Sequence, residues 1–189
     1  MLDFNLYPFP ELKTERLILR KISESDAKDF FAIRSNAQIM EKLDKELASS
    51  IEEVILLIKK IENAIEGNLG INWALCLKEN NKLIGVVGFH NIYKDHHRAE
   101  IGYALLPEFQ RQGIMKEAIQ AMINFAFSEL KLHSIEAKVN PNNEASISLL
   151  TGFGFVKEAF FKESYYFKEQ FLDTAIYSLI TTNHISSKV

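Results

Sequence analysis

Alternating apolar and polar positions predict seven strands along the chain. Runs rich in Leu, Ile and Val with a period of two residues are typical of half-buried strands. Asn80 and Asn81 stand between two such runs and predict a hairpin turn, while Pro107 ends another run. The predicted strands are residues 15–22, 71–79, 82–92, 98–106, 133–139, 153–162 and 173–180.

Helical spacing of apolar residues predicts four helices among these strands. The strongest pattern begins with Ser50 and Glu53, whose spacing fits a capping box, and it continues as one apolar face. In the last helix we expect Asn140 as N-cap and Pro141 at the first helical position. The predicted helices are residues 23–35, 50–66, 113–130 and 140–152.

The order of these elements predicts a mixed sheet in a single domain. The first strands form an antiparallel meander, and a strand–helix–strand unit then favours two parallel strands at 98–106 and 133–139. The fold class is therefore α/β or α+β. No repeat or linker divides the chain, so we expect one domain over residues 1–189, with its core at about 12–180 and a loose tail at 181–189.

Bulk composition narrows the choice of partners. The chain has 189 residues, of which 47% are hydrophobic and 25% charged, with a formal net charge of −3. Because no basic stripe is present, DNA is not an expected partner, but backbone N–H groups can still bind a phosphate ligand. Cys76 is the single cysteine, which excludes an internal disulfide. The sequence shows neither a signal-peptide pattern nor the roughly 18 consecutive apolar residues of a membrane span, and this predicts a cytoplasmic location.

The stretch "EFQRQGIMKEAIQAM" (108–122) begins its helix with Gly113 where Ser, Thr, Asp or Asn is the usual cap. A helix start carries unpaired N–H groups and partial positive charge. Glycine lets the backbone approach a ligand, and Arg111 and Lys116 add charge nearby. One interpretation is an anion site. The other is a plain turn whose glycine only permits a positive φ, and this stretch alone leaves both open.

Three motifs resemble the GNAT acetyltransferases, and within them the RimJ/RimL branch that acetylates protein N-terminal amines. "AEIGYALLPEFQRQGIMKEAI" is similar to that branch around the Q/R-x-x-G-x-G/A acetyl-CoA loop. "TERLILRKI" is similar to its opening, and "NPNNEASISLLTGFGFVKEA" to its N-x-x-S helix and following G-F strand. The resemblance covers roughly residues 12–180 and the three motifs stand in the family's order.

This resemblance implies a V-splayed mixed sheet of about seven strands, opened between the fourth and fifth, with helices on both faces. Acetyl-CoA is the implied cofactor. Its pyrophosphate would lie on N–H groups of the loop, and its pantetheine would pair with strand backbone. Met115 stands where the pattern has Gly or Ala, but the contact there is to the backbone. The implied cofactor residues are Leu105, Leu106, Gln110, Arg111, Gln112, Gly113, Ile114, Met115, Lys116 and Asn143.

Two side chains match the family's catalytic positions. Glu100, inside "AEIGYAL", would act as the base, and its alternative is a solvent-facing strand residue. Ser146 would protonate the leaving sulfur, and its alternative is a hydroxyl on the helix surface. Asn143 would bind the cofactor or simply cap its helix. Tyr103 would line the splay or be a core aromatic, and the core aromatic is the favoured interpretation. With no credible nucleophile, direct attack by the amine is expected.

Other candidate groups carry weaker hypotheses. Cys76 is expected to be buried and inert. His90, His96 and His97 lack accompanying ligand spacing, so no metal site is expected. The segments 36–50 and 160–172 are expected to set acceptor choice, the second being rich in aromatic residues that line either the substrate site or a core and dimer surface.

The expected function is acetyl transfer from acetyl-CoA to a primary amine, most simply a protein N-terminal α-amine. A rival keeps the chemistry with a small amine, such as a polyamine, an aminoglycoside or an amino sugar. Further rivals are a non-catalytic acyl-CoA sensor and a nucleotide-binding domain of unrelated fold. The chain is expected to be a monomer or a homodimer.

Overall fold

The computed structural model describes residues 2–181. The predicted tail begins at Thr181, and its remaining residues, 182–189, lie outside the described residues. The strands are β1 (Leu12–Lys13), β2 (Leu17–Lys21), β3 (Ile71–Leu77), β4 (Leu83–Tyr93), β5 (Arg98–Leu105), β6 (Ser134–Val139), β7 (Val156–Phe167) and β8 (Gln170–Ile180). The helices are α1 (Ala27–Arg34), α2 (Ala37–Lys42), α3 (Ile51–Glu66), α4 (Ile114–Ser128) and α5 (Glu144–Thr151).

The strands form one mixed sheet in the order β1-β2-β3-β4-β5-β6-β8-β7. It has eight strands where about seven were predicted, because the two-residue β1 pairs with β2. Among the described strands, β5 and β6 form the one parallel pair. Their pairing covers only Arg98–Glu100 against Ser134–Glu136, and both strands continue beyond it without pairing to each other. The sheet therefore opens between the two strands for which the splay was predicted. They are the fifth and sixth strands in this structure because β1 adds one strand before them.

Helices cover both faces of the sheet. On one face, α4 packs through Phe125, whose ring meets the edge of Trp73 at 5.5 Å between centroids. Trp73 is fully buried, and its Nε1 donates to the Pro10 carbonyl at 2.7 Å. On the other face, α1, α2 and α3 bury a second cluster that includes Phe30 and Ile58. The sheet thus has a separate hydrophobic core on each of its two faces.

Local capping differs from the prediction at two helices. Ser50 caps α3 by accepting from the Glu53 N–H at 3.4 Å, but the Glu53 carboxylate accepts from the N–H and hydroxyl of Ser49 rather than from Ser50. The last helix starts at Glu144 and is capped by Asn143, so the predicted cap at Asn140 was wrong. Asn140 instead closes a short turn before the helix.

Two other segments refine the predicted elements. The stretch after α1 was treated as a loop, yet Asn36 caps the short helix α2 by accepting from the Ile39 N–H at 3.2 Å. The Asn80-Asn81 hairpin turn is confirmed, since Asn81 has a φ of 55° and the Asn80 side chain accepts from the Lys82 N–H.

Candidate active site

The start of α4 has the geometry of an anion site. Gly113 is the N-cap with a φ of 76°, and Arg111 before it has a φ of 59°, so two left-handed residues turn the chain into the helix. The first helical bond is donated by Glu117 to the Gly113 carbonyl at 3.0 Å. The N–H groups of Ile114, Met115 and Lys116 precede that bond and therefore have no intrahelical acceptor. A left-handed glycine with free amides favours a phosphate over a plain turn.

A network from the start of the chain holds this loop in place. The Glu117 carboxylate accepts from the Thr14 hydroxyl, from the Arg16 N–H at 2.8 Å and from Arg16 Nε at 2.7 Å. Arg16 Nη1 also donates to the Gln112 carbonyl at 3.0 Å. The opening motif of the chain is thus attached to the first turn of α4. Sequence reasoning missed this network, because the partners lie about 100 residues apart and local periodicity carries no signal of it.

A groove of about 480 Å³ extends from this loop between β5 and α5. Most of the predicted cofactor residues line it, and two do not. Leu106 is buried in the second core cluster, and its N–H donates to the Ile84 carbonyl, so it has no free amide for a ligand. Gln112 turns its side chain to the Glu108 carbonyl at 2.7 Å. The predicted residues that line the groove are Leu105, Gln110, Arg111, Gly113, Ile114, Met115, Lys116 and Asn143.

Gln110 and Met115 show how side chains leave the loop backbone accessible. Gln110 Nε2 donates to the Leu105 carbonyl at 2.9 Å, which fixes the loop against the end of β5. The Met115 side chain is buried in the core on the sheet side of α4. A side chain larger than Gly or Ala is therefore accommodated at this position, while its N–H remains at the helix start.

At the bottom of the groove, Tyr103 and Ser146 are joined by a hydrogen bond of 2.6 Å between their hydroxyls. Burial raises the pKa of Tyr103 to about 12, against the opposing effect of the Ser146 hydroxyl. Asn143 lies beside them, with its carbonyl oxygen accepting from the Ser146 N–H at 3.2 Å and its amide donating to the Lys42 carbonyl at 3.1 Å. Asn143 is thus a cap as well as a groove residue. Tyr103 faces the cleft and is more than the core aromatic that its sequence context predicts.

A second cavity, of about 710 Å³, opens on the face covered by α1, α2 and α3. Glu100 lines it, with 18% of its side chain accessible, and forms an ion pair with Lys138 at 2.8 Å. On the neighbouring strand His90 faces the same cavity and packs its ring over Gly102. The pKa of His90 is lowered, first by burial and then by the charge of Lys45. Sequence reasoning weighed His90 only as a metal ligand and missed its place beside Glu100.

The far wall of this cavity is held by Asp44. Its carboxylate accepts from the Tyr165 hydroxyl and from Asn140 Nδ2, the latter at 3.1 Å. These contacts connect the segment after α2 with the end of β6 and with β7. Both segments predicted to set acceptor choice therefore contribute to one cavity, 36–50 through Asp44 and 160–172 through Tyr165.

The two cavities meet at a common wall. The residues that line both are Lys42, Leu43, Tyr103, Ala104, Asn143 and Ser146. The pairing of β5 and β6 ends at Glu100, and the two cavities adjoin along this wall. The splay thus joins an anion-binding groove to a larger cavity with charged residues, an arrangement for two substrates.

The single cysteine, Cys76, lines neither of the two cavities. Cys76 is buried, and burial raises its pKa to about 11. Within residues 2–181, no three His, Cys, Asp or Glu side chains group closely enough to hold a metal ion. No helix in that part of the chain is both long and apolar enough to cross a membrane.

Comparison with known proteins gives the class of this site. Residues 16–156 match the family model described as an acetyltransferase (GNAT) domain. The chain is 38% identical, over 172 residues that cover 91% of it and 97% of the relative, to a Bacillus subtilis protein named uncharacterized N-acetyltransferase YoaA. It is 31% identical, over 104 residues that cover 54% of each chain, to the ribosomal protein uS5-alanine N-acetyltransferase of Escherichia coli. A solved structure of spermidine N-acetyltransferase from Vibrio cholerae, in complex with CoA and spermine, shares the fold with a TM-score of 0.80, at 24% identity over 90% of this chain and 98% of that one.

The fold and the two joined cavities therefore define an N-acetyltransferase. The chain belongs to the GNAT acetyltransferase family, whose members use acetyl-CoA. The residues at the start of α4 fit that cofactor, since a left-handed glycine and free amides offer its pyrophosphate a cradle. The resemblance read from three sequence motifs is thus confirmed at the level of the family.

Proposed function

We propose that this enzyme acetylates a protein or peptide N-terminal α-amine by direct attack within a ternary complex. The observation that carries the proposal is the common wall at Tyr103, Asn143 and Ser146, whose residues line both the second cavity and the groove. An amine held in that cavity approaches the groove without any protein nucleophile between them. Acetyl-CoA, when bound, supplies the acetyl thioester at this point.

An N-terminal α-amine needs little help from a general base to lose its proton. An α-amine has an ordinary pKa near 7.7–8.0, so about a tenth of it is already neutral at pH 7, against about 0.04% of a lysine amine. Glu100 lines the acceptor cavity, and we propose that it takes the proton released by the amine, through water. Its ion pair with Lys138, at 2.8 Å, holds the carboxylate in place.

Ser146 is proposed to donate a proton to the leaving thiolate. Its hydroxyl lies in the wall common to both cavities and is hydrogen-bonded to the Tyr103 hydroxyl. The Tyr103 proton can replace the one that Ser146 gives up, because the two oxygens are 2.6 Å apart. One N–C bond forms, one C–S bond breaks, and the proton lost by the amine balances the one gained by sulfur.

The rival acceptor is a small amine. Spermidine, for which a related Vibrio cholerae enzyme is named, represents it. Thiol release from acetyl-CoA, measured with N-terminal peptides beside spermidine and an aminoglycoside, separates the two. Turnover on peptides supports the proposal, whereas turnover only on small amines overturns the acceptor class.

Two variants test the residue roles. Glu100→Gln and Ser146→Ala are each expected to lower kcat/KM by about 100-fold, the usual contribution of a positioned acid or base. Glu79→Gln, which changes an exposed carboxylate outside both cavities, is the matched control. Unchanged kcat/KM in both test variants from pH 6 to 9 would remove both assignments.

A further inference from the structure

The acceptor cavity contains more cations than carboxylates. Its charged lining, apart from His90, consists of Arg34, Lys42, Lys45 and Lys138 against Asp44 and Glu100. Both carboxylates already have partners inside the protein. Glu100 is paired with Lys138, and Asp44 accepts from Tyr165 and Asn140. The lining therefore offers a cation fewer free carboxylate oxygens than it has cationic groups of its own.

Arg34, at the end of α1, leaves most of its donors without a partner among the described residues. Its Nε is buried and has no hydrogen-bond partner among the described residues. One terminal nitrogen, Nη2, reaches the Glu46 carbonyl at 3.5 Å, the outer limit of a hydrogen bond. A guanidinium offers five N–H donors in a planar fork that matches a carboxylate. A partly buried guanidinium that leaves most of these donors unpaired favours an external acceptor.

Lys45 adds a second unpaired charge to the same cavity. Its ammonium makes no hydrogen bond or ion pair within residues 2–181, although it lies close enough to Arg34 and Glu100 to feel both charges. Lys45 remains accessible to solvent from the cavity side. Two like charges beside each other in a confined space repel unless an anion lies between them.

We infer that Arg34 and Lys45 bind a carboxylate carried by the acceptor, close to the amine that is acetylated. This rests on the acceptor cavity of the proposed function and narrows its substrate to amines with a nearby acid. The acetyl-CoA phosphates are not the anion, because neither residue lines the groove at the start of α4. A polyamine is disfavoured, since it would bring further positive charge to two unpaired cations.

Two kinds of acceptor carry a carboxylate near the amine. One is an Asp or Glu side chain among the first residues of a peptide, which agrees with an N-terminal acceptor. The other is the main-chain carboxylate of a free amino acid. The cavity volume of about 710 Å³ holds either, being in the range of ordinary ligand pockets. Among the described residues, Asp44 makes no ion pair with Arg34, and its carboxylate accepts from Tyr165 and Asn140 instead.

Kinetics with isosteric acceptors test the inference on the whole chain. C-terminally amidated tripeptides with Asp at the first or second position are compared with Asn versions, and a free amino acid with its amide. In each pair of preferred acceptors, the Asp peptide or the free amino acid should have a kcat/KM about 10- to 100-fold higher than its Asn or amide counterpart. This is the effect of one charge-assisted hydrogen-bonded contact. Equal rates within every pair, or a preference for spermidine, would overturn the inference.

Variants assign the preference to these residues. Arg34→Gln and Lys45→Gln should each reduce the Asp-over-Asn ratio towards one, while Arg34→Lys should keep part of it. Lys60→Gln, an exposed lysine on α3 outside the cavity, should leave the ratio unchanged. A full ratio in both Gln variants would contradict the assignment to Arg34 and Lys45.

A binding measurement keeps this test separate from that of the proposed function. Calorimetry with CoA present compares N-acetylated Asp and Asn tripeptide amides, which are products and need no turnover. A Kd ratio of about tenfold or more supports the anion site even if no peptide is acetylated. Turnover of a free amino acid but not its amide would keep the anion site and remove the peptide acceptor. Equal binding of the charged and neutral products would remove the anion site itself.

Discussion

Removing the Glu117 carboxylate is expected to loosen the acetyl-CoA loop and to lower stability together. This carboxylate accepts three hydrogen bonds, one from the Thr14 hydroxyl and two from Arg16. Hydrogen bonds to charged groups contribute about 1.5–3 kcal/mol each when protected from water. The Arg16 side chain is 44% accessible and that of Glu117 is 17% accessible, so solvent screening discounts the sum. We expect Glu117→Ala to cost about 2–3 kcal/mol in total.

Thermal unfolding and cofactor kinetics measure the two effects. For a chain of this size each kcal/mol shifts Tm by about 2–4 °C, so Glu117→Ala should melt roughly 4–12 °C below the parent protein. The KM for acetyl-CoA should rise about tenfold, because the Gln112 carbonyl loses the orientation of its Arg16 tether. Glu129→Ala, at an exposed position beside the end of the same helix, should change neither.

The contribution of Glu117 to stability should decrease at low pH. Burial acts to raise the pKa of Glu117, but the hydrogen bonds from Arg16 and Thr14 outweigh it and hold the pKa below its ordinary value of 4.5. A carboxyl whose pKa is lowered by folding stabilises the protein above its unfolded pKa and loses that contribution as pH falls through the folded value. The Tm difference between Glu117→Gln and the parent should therefore close below pH 4.5. A constant difference down to acid pH, or a Tm for Glu117→Ala within about 1 °C of the parent, would refute the reasoning.

Three further predictions concern single side chains. Gly113→Ala places a side chain on a residue with a φ of 76°, which costs about 1–2 kcal/mol, so acetyl-CoA affinity by calorimetry should fall about tenfold. An unchanged Kd would argue against the cradle. Tyr103→Phe removes the hydroxyl bonded to Ser146 and should lower kcat about tenfold with little change in acceptor KM; a change in KM alone would indicate a binding role. Asp26→Asn breaks the 2.8 Å pair with Arg20 and should destabilise the fold by about 2–4 kcal/mol in urea unfolding, whereas a loss below about 0.5 kcal/mol would contradict it. Burial opposes ionisation of Asp26, but the hydrogen bond from Arg20 lowers its pKa below 3.8, so this loss should shrink as pH falls below that value.

The local features of the cofactor site were predictable from sequence. Gly113 stands where a capping side chain is usual, and this predicts a left-handed residue at the start of the helix. The structure has one at this position. The apolar period of α4 predicts which side of the helix is buried, including Met115. Such features follow from neighbours within a few residues, which is the range over which periodicity and capping rules act.

The capping rules predicted the wrong start for the last helix, where two nearby residues are both suitable caps. Asn140 and Asn143 are both good caps by residue type, and sequence alone favoured Asn140 because Pro141 follows it. In the structure Asn140 Nδ2 donates to Asp44, a residue 96 positions earlier, and the helix begins at Glu144. Asn140 is thus held by a residue far away in the sequence, and Asn143 is the residue that caps the helix.

What the sequence determined by itself was the family, the order of elements and the cofactor loop, because each depends on residues close together in the chain. What only tertiary structure decided was the acceptor cavity. Arg34, Lys45 and His90 come from separate elements, and no spacing in the sequence relates them. They line one cavity only in the folded chain, and whether a charge is unpaired depends on which groups folding places beside it.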